Sequence, residues 1–229
     1  VRPRGGPPGP GALAALPLVG AVLGAAAGAA GAGAARVLPA PLPAAIALCS
    51  LALLTGAIHL DGFLDGCDAF GASVAAARRL EILKDPRHGT FAVTGMFAAG
   101  SLALAALAAI PPRRYPAVFA FAAALARAAA VTGAFIFPGA RSEGGRPHYE
   151  RQADSLVTVA TTLAALVVAA PPYRWPSPLL VPLALCTALG IERWICSRVG
   201  GLTGDAYGFT IVIVETELLV ALAAYTRQP

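Results

Sequence analysis

The chain has 229 residues, of which 57% are hydrophobic and only 13% charged, with a net charge of +5 and a mean hydropathy of +0.70. A soluble domain usually carries about twice that charged fraction. Composition therefore excludes an ordinary soluble enzyme and points to an integral membrane protein, all-α in class. The four cysteines, Cys49, Cys67, Cys186 and Cys196, form no CxxC and no metal-ligand spacing, and read as small apolar fillers within helices.

In chain order, "VRPRGGPPGP" at 1–10 is dominated by Gly and Pro and is expected to be disordered. Residues 11–229 read as one helical membrane domain. A span needs roughly 20 apolar residues, and runs of that kind fall at 11–35, 40–60, 90–110, 115–137, 155–171, 177–197 and 208–225. That predicts about seven transmembrane helices. The first run follows Arg2 and Arg4 and ends in small residues, like a signal peptide, but it is longer than a usual signal-peptide core. The chain opens on Val1, which fits a non-standard start codon, a processed end or a truncated reading of the gene. Run 155–171 is the shortest, and 208–225 contains Glu215 and Glu217.

Threading seven spans sorts the loops onto two faces. One carries the N-terminus and the loops at 61–89, 138–154 and 198–207, with most of the basic residues. The other keeps only Arg36, Arg113, Arg114, Arg174 and Arg227. The Lys/Arg excess puts the first face, and the N-terminus, in the cytoplasm. Every carboxylate in the chain lies on that face or in span ends adjoining it. A surface charged merely for solubility would have acids on both sides, so the asymmetry predicts an ionisable site on the cytoplasmic side.

The densest acidic segment is "GAIHLDGFLDGCDAFGA", residues 56–72. Asp61, Asp65 and Asp68 are spaced i, i+4, i+7, which on a helix puts them within about 40° of one another. Like charges at that spacing repel, and a divalent cation such as Mg²⁺ would offset them. Gly62 and Gly66 are expected to let a large ligand approach the backbone. Next, "RRLEILKDPRHGTF" at 78–91 alternates Arg78, Arg79, Lys84 and Arg87 with Glu81 and Asp85. It reads as an amphipathic interfacial helix or as a cationic wall for a polyphosphate. Asp85 is placed to ligate metal or to orient Arg87, and Pro86 and Gly89 require a turn. Arg127, deep in "FAAALARAAAVTGAF", should face the bundle interior and pair with an acid or a phosphate. "PGARSEGGRPHYER" at 138–151 offers Arg141 in a Gly-rich basic loop. "GGLTGDAYG" at 200–208 forms a polar turn with Asp205 running into an apolar helix. Glu215 lies about three turns deeper in that helix and needs a partner, Arg127 or Arg193.

In this order, "HLDGFLDGCDA", "LEILKDPRHGTF", "ARSEGG" and "GGLTGDAYG" resemble the adenosylcobinamide-GDP ribazoletransferase (cobalamin synthase) family over about residues 16–220. The resemblance implies a Mg²⁺-dependent, multi-pass enzyme of the bacterial cytoplasmic membrane with its active site facing the cytoplasm. It implies that a hydroxyl of α-ribazole, or of its 5′-phosphate, attacks adenosylcobinamide-GDP and releases GMP. No nucleic-acid partner is implied, and nothing sets the oligomeric state. By the match, Asp61, Asp65 and Asp68 hold the metal, and Asp85 and Asp205 help hold it or position the nucleophile. Arg78, Lys84, Arg87 and Arg141 bind phosphates, and His59 and Arg127 support the aspartates and the leaving phosphate. Pro86, His88 and Val212 depart from the family's pattern, as does the opening segment. The rival readings are a CDP-alcohol phosphatidyltransferase, which lacks its Ala-Arg signature here, and a divalent-cation transporter, which should place acids on both faces.

Overall fold

The computed structural model describes residues 10–140 and 177–226. Its regular elements are helices: α1 (Pro10–Ala34), α2 (Leu42–Leu54), α3 (Ile58–Gly71), α4 (Ala76–Ile82), α5 (Thr90–Ala108), a 3-10 turn (Pro112–Arg114), α6 (Tyr115–Ile136), α7 (Ser177–Val199) and α8 (Gly204–Thr226). Five of them, α1, α5, α6, α7 and α8, are long and apolar enough to cross a bilayer, and α2 with α3 makes a sixth candidate across a sharp bend. The chain is thus the all-α, multi-pass membrane protein that its composition predicts. The run at 155–171 and residues 1–9 lie outside the described residues.

The axis of the bundle is α6. Val118 to Val131 are buried without interruption, so this helix meets protein on all sides rather than on one stripe. Helix α1 rides directly on it through Gly20, Gly24 and Gly28. A Cβ at Gly24 would lie 2.4 Å from Phe119 O, and one at Gly28 would lie 2.4 Å from Tyr115 O. Small residues at this four-residue spacing let two membrane helices approach backbone to backbone, where dispersion supplies the attraction that the hydrophobic effect supplies in water. Phe119, Phe121 and Leu125 of α6 join a core with Ile211, Leu218 and Leu222 of α8 and Leu180, Ala184 and Ala188 of α7.

The run at 40–60 is not one straight span. Helix α2 stops at Leu54, and α3 leaves at 93° to it. The stop is built from the side chain of Thr55, whose hydroxyl donates to Leu51 O (2.9 Å) and Ala52 O (3.1 Å). Two consecutive left-handed residues then follow, Gly56 (φ 63°) and Ala57 (φ 57°). Glycine takes that conformation freely; an L-residue pays about 1–2 kcal/mol. Replacing Ala57 by Gly should therefore raise stability by up to about 1 kcal/mol, the relieved strain less the extra chain entropy of Gly. A thermal midpoint at or below that of the unchanged protein would contradict this strain.

A second, smaller core closes the end of the bundle at which α3 lies. Ala69, Phe70, Leu83, Ile195, Val199, Leu202 and Ala206 join α3, the end of α4, α7 and the start of α8. Phe209 stacks on Phe63 (5.6 Å between centroids) and meets Phe70 edge-on (5.7 Å). An isolated parallel bridge, Ala140 N–H to Leu202 O and Leu202 N–H to Pro138 O, both 2.8 Å, ties the exit of α6 to the turn before α8. These contacts fix α3 and the start of α8 as a rigid pair.

Candidate active site

The three aspartates do lie on one continuous helix, α3. Gly62 and Gly66 are buried in the structure, which corrects their expected use. A Cβ at Gly62 would lie 3.0 Å from Asp205 Cα, one at Gly208 would lie 3.1 Å from Gly62 Cα, and one at Gly66 would meet the Phe209 ring at 2.5 Å. The two glycines admit α8 rather than a ligand. Their effect on the site is large nonetheless, because this close approach brings Asp205, in the first turn of α8, against the aspartate stripe. The charges of Asp61, Asp205, His88 and Asp68 all act on Asp65, and that of Asp61 acts on Asp205.

The aspartates are differently engaged. Asp61 is exposed. Asp65 faces His88, with Nδ1 3.5 Å from Oδ1. Asp68 accepts the Gly89 N–H on Oδ2 (2.5 Å) and the Ala92 N–H on Oδ1 (3.0 Å). Those N–H groups belong to the open N-terminal end of α5, so Asp68 caps that helix from another element and complements its dipole. The same clamp draws the 84–89 turn over α3 and sets His88 beside Asp65.

In the basic segment, α4 is a short helix followed by a turn, as Pro86 and Gly89 demand. Asp85 orients Arg87 through a bidentate pair, Nε to Oδ1 at 2.9 Å and Nη2 to Oδ2 at 2.8 Å, and also accepts the Arg87 N–H at 3.0 Å. Arg78 pairs with Glu81 at 2.6 Å, both exposed, and Lys84 is exposed. The hydrogen bonds from Arg87 hold the Asp85 carboxyl down at about 2. The pair should therefore stay closed as pH falls until about 2. Carboxyl NMR should give an Asp85 midpoint near that value, and a midpoint at the ordinary 3.8 would contradict the chelate.

Arg127 is buried (2% exposed) and pairs with Glu215 Oε2 at 3.1 Å, while the same Nη1 donates to Ala123 O at 2.9 Å. Of the two partners the sequence offers Glu215, the structure chooses Arg127, and α8 runs unbroken from Asp205 to Glu215 as expected. His59, at the start of α3, lies within electrostatic reach of Arg127. Arg141 lies outside the described residues.

Two buried ionisable residues depart from the sequence reading, which counts Arg79 only among the charges of the basic segment and does not single out Glu192. Arg79 (4% exposed) donates from Nη1 to Ala69 O at 2.6 Å, satisfying a carbonyl in the last turn of α3 and pinning α4 to it. The adjacent Arg78 is exposed, and only the helical phase of the pair in α4 would have separated them. Glu192 on α7 is fully buried, and neither carboxyl oxygen has a hydrogen-bond partner among the described residues. Its carboxyl lies against α6 at Gly133, in space that a Cβ there would occupy. A lone Glu ending a long uncharged run was the available signal.

No three His, Cys, Asp or Glu side chains among the described residues form a ready cage for a metal ion. The donor set still suits Mg²⁺, which takes hard oxygen ligands, keeps several waters and completes its shell with substrate phosphates rather than with protein alone.

The fold and this carboxylate-rich end define a multi-pass helical membrane protein with an ionisable site gathered at one end of its bundle. A family profile described as cobalamin-5-phosphate synthase matches residues 9–223, and the chain belongs to that family. It is similar to adenosylcobinamide-GDP ribazoletransferase of Pseudomonas putida (strain W619), 34% identical over 82% of this chain and 78% of the relative. The proteins of that name from Azorhizobium caulinodans (32% identical; 93% and 84% covered) and Syntrophobacter fumaroxidans (35%; 90% and 84%) are similar too. No solved structure matches. The chain is accordingly a membrane-bound transferase of cobalamin biosynthesis.

Proposed function

We propose that the chain transfers the cobinamide phosphate of adenosylcobinamide-GDP to a hydroxyl of α-ribazole, or of α-ribazole 5′-phosphate. The new phosphodiester forms as the pyrophosphate bond breaks, GMP leaves, and the hydroxyl gives up its proton. We place the reaction at the cytoplasmic face of the bacterial inner membrane. The observation that supports this most is the convergence around Asp65 of Asp61 and Asp68 from α3, Asp205 from α8 and His88 from the turn that carries Lys84 and Arg87. Displacement between phosphates needs charge neutralisation and positioning more than covalent help from the protein.

Asp61 and Asp65, with Asp205 opposite, would hold Mg²⁺, and Asp68 would serve chiefly by holding the turn in place. Bound there, the ion would neutralise phosphate charge. Arg87, pre-oriented by Asp85, presents a fixed guanidinium plane to a phosphate, and Lys84 and Arg78 add mobile charges beside it. His88 and Asp65 stand together where a proton could pass from the attacking hydroxyl. Purified full-length protein in lipid nanodiscs, given adenosylcobinamide-GDP, α-ribazole and Mg²⁺, should release GMP in step with corrinoid product. A folded sample that releases none removes this reading.

A further inference from the structure

A cavity of about 280 Å³ lies between α2, α3, α5, α6 and α8, behind the aspartate stripe. Its wall is mostly apolar, including Leu51, Met96, Ala103 and Ile211, and its polar groups include His59 and the Arg127–Glu215 pair. We propose that this cavity takes the flat, uncharged aromatic base of the nucleoside nucleophile, an assignment that rests on the transfer reaction proposed above.

Three observations carry it. The first is size. Pockets for whole ligands run from about 300 to 1,000 Å³, so this one suits a bicyclic aromatic fragment and is too small for a corrin macrocycle. The second is charge. Arg127 would be a natural phosphate ligand were it free, but its guanidinium is held by Glu215 at 3.1 Å. The buried pair is neutral overall and, unlike the exposed Arg87–Asp85 pair, cannot turn toward an anion without leaving its carboxylate enclosed and unpaired. A neutral ring instead finds apolar walls and a polarizable thioether at Met96, with the His59 imidazole to hydrogen-bond a ring nitrogen. The third is position. His59 stands two residues before Asp61 in the first turn of α3, so a base seated here lies beside the N-terminal end of the aspartate stripe.

Equilibrium binding of labelled α-ribazole to the full chain in nanodiscs tests this without requiring turnover. Ala103→Leu fills the cavity from a buried position on α5; Ala99→Leu does so from a half-buried one, in case the first variant misfolds. Each should weaken α-ribazole binding at least about tenfold while leaving adenosylcobinamide-GDP binding within about twofold. Wild-type protein that fails to bind α-ribazole, or filled variants that bind it as the wild type does, would overturn the assignment. Equal weakening for both substrates would overturn it as well. The outcome is separable from that of the transfer reaction: cavity-dependent α-ribazole binding with no GMP release would refute the reaction and uphold the cavity.

Discussion

Replacing Asp65 by Asn should lower turnover by about 10²–10³-fold and at the same time leave the fold as stable as before, or more so. The two effects have opposite signs for one reason. Asp65 sits among the charges of Asp61, Asp68 and Asp205, with the His88 ring 3.5 Å away. An amide of the same shape removes like-charge repulsion that the folded chain otherwise bears. A group kept at a cost to stability is kept for something it binds. Divalent cation should accordingly raise the thermal midpoint of the wild type by mass action, and Asp65→Asn should blunt that rise. Asp68→Asn makes the contrast. It weakens the charge-assisted acceptor for Gly89 and Ala92 N–H, so it should lower stability through the α5 cap and disturb the His88 turn. If Asp65→Asn keeps most of the turnover, or destabilises as Asp68→Asn does, Asp65 is structural and the metal belongs elsewhere.

Helices were legible in the sequence wherever the solvent is uniform. An uncharged run of twenty residues has one stable outcome in a bilayer, since each backbone amide must find its partner within the segment. Runs 11–35, 90–110, 115–137, 177–197 and 208–225 therefore coincide with α1, α5, α6, α7 and α8. The run at 40–60 did not, because its end depends on Thr55 turning back on its own helix and on two left-handed residues, only one of them Gly. In the site, the aspartate stripe followed from helical spacing alone. What the stripe faces did not, because that depends on which helix the glycines admit. Gly62 and Gly66 read equally well as room for a ligand or for a neighbour, and only the packing of α8 decides. Glu192 was missed for a related reason: its carboxyl occupies space left by a glycine 59 residues away on α6, Gly133.

The Arg127–Glu215 pair provides the sharpest test of packing against chemistry. Both side chains project into the bundle, and the guanidinium is almost wholly enclosed, 2% exposed. Glu215→Leu alone leaves that charge without its carboxylate and should cost about 3–5 kcal/mol, on the order of a 10 °C drop in thermal midpoint for a chain of this size. Arg127→Met alone should cost comparably by stranding the carboxylate. The double variant, Arg127→Met with Glu215→Leu, replaces two paired charges with apolar groups of similar volume and should regain most of the loss, since desolvation already offsets much of a buried pair's attraction. A double variant whose loss equals the sum of the singles would mean that the two residues act independently and that the 3.1 Å contact contributes nothing. The recovered double variant also separates the two roles open to Arg127. With the pair acting as a neutral floor, an apolar floor serves an aromatic base nearly as well, and α-ribazole affinity should return with stability. A phosphate ligand at this position would instead leave adenosylcobinamide-GDP affinity depressed in a well-folded protein, and Arg127 would then belong to the phosphate wall with Arg87 and Lys84.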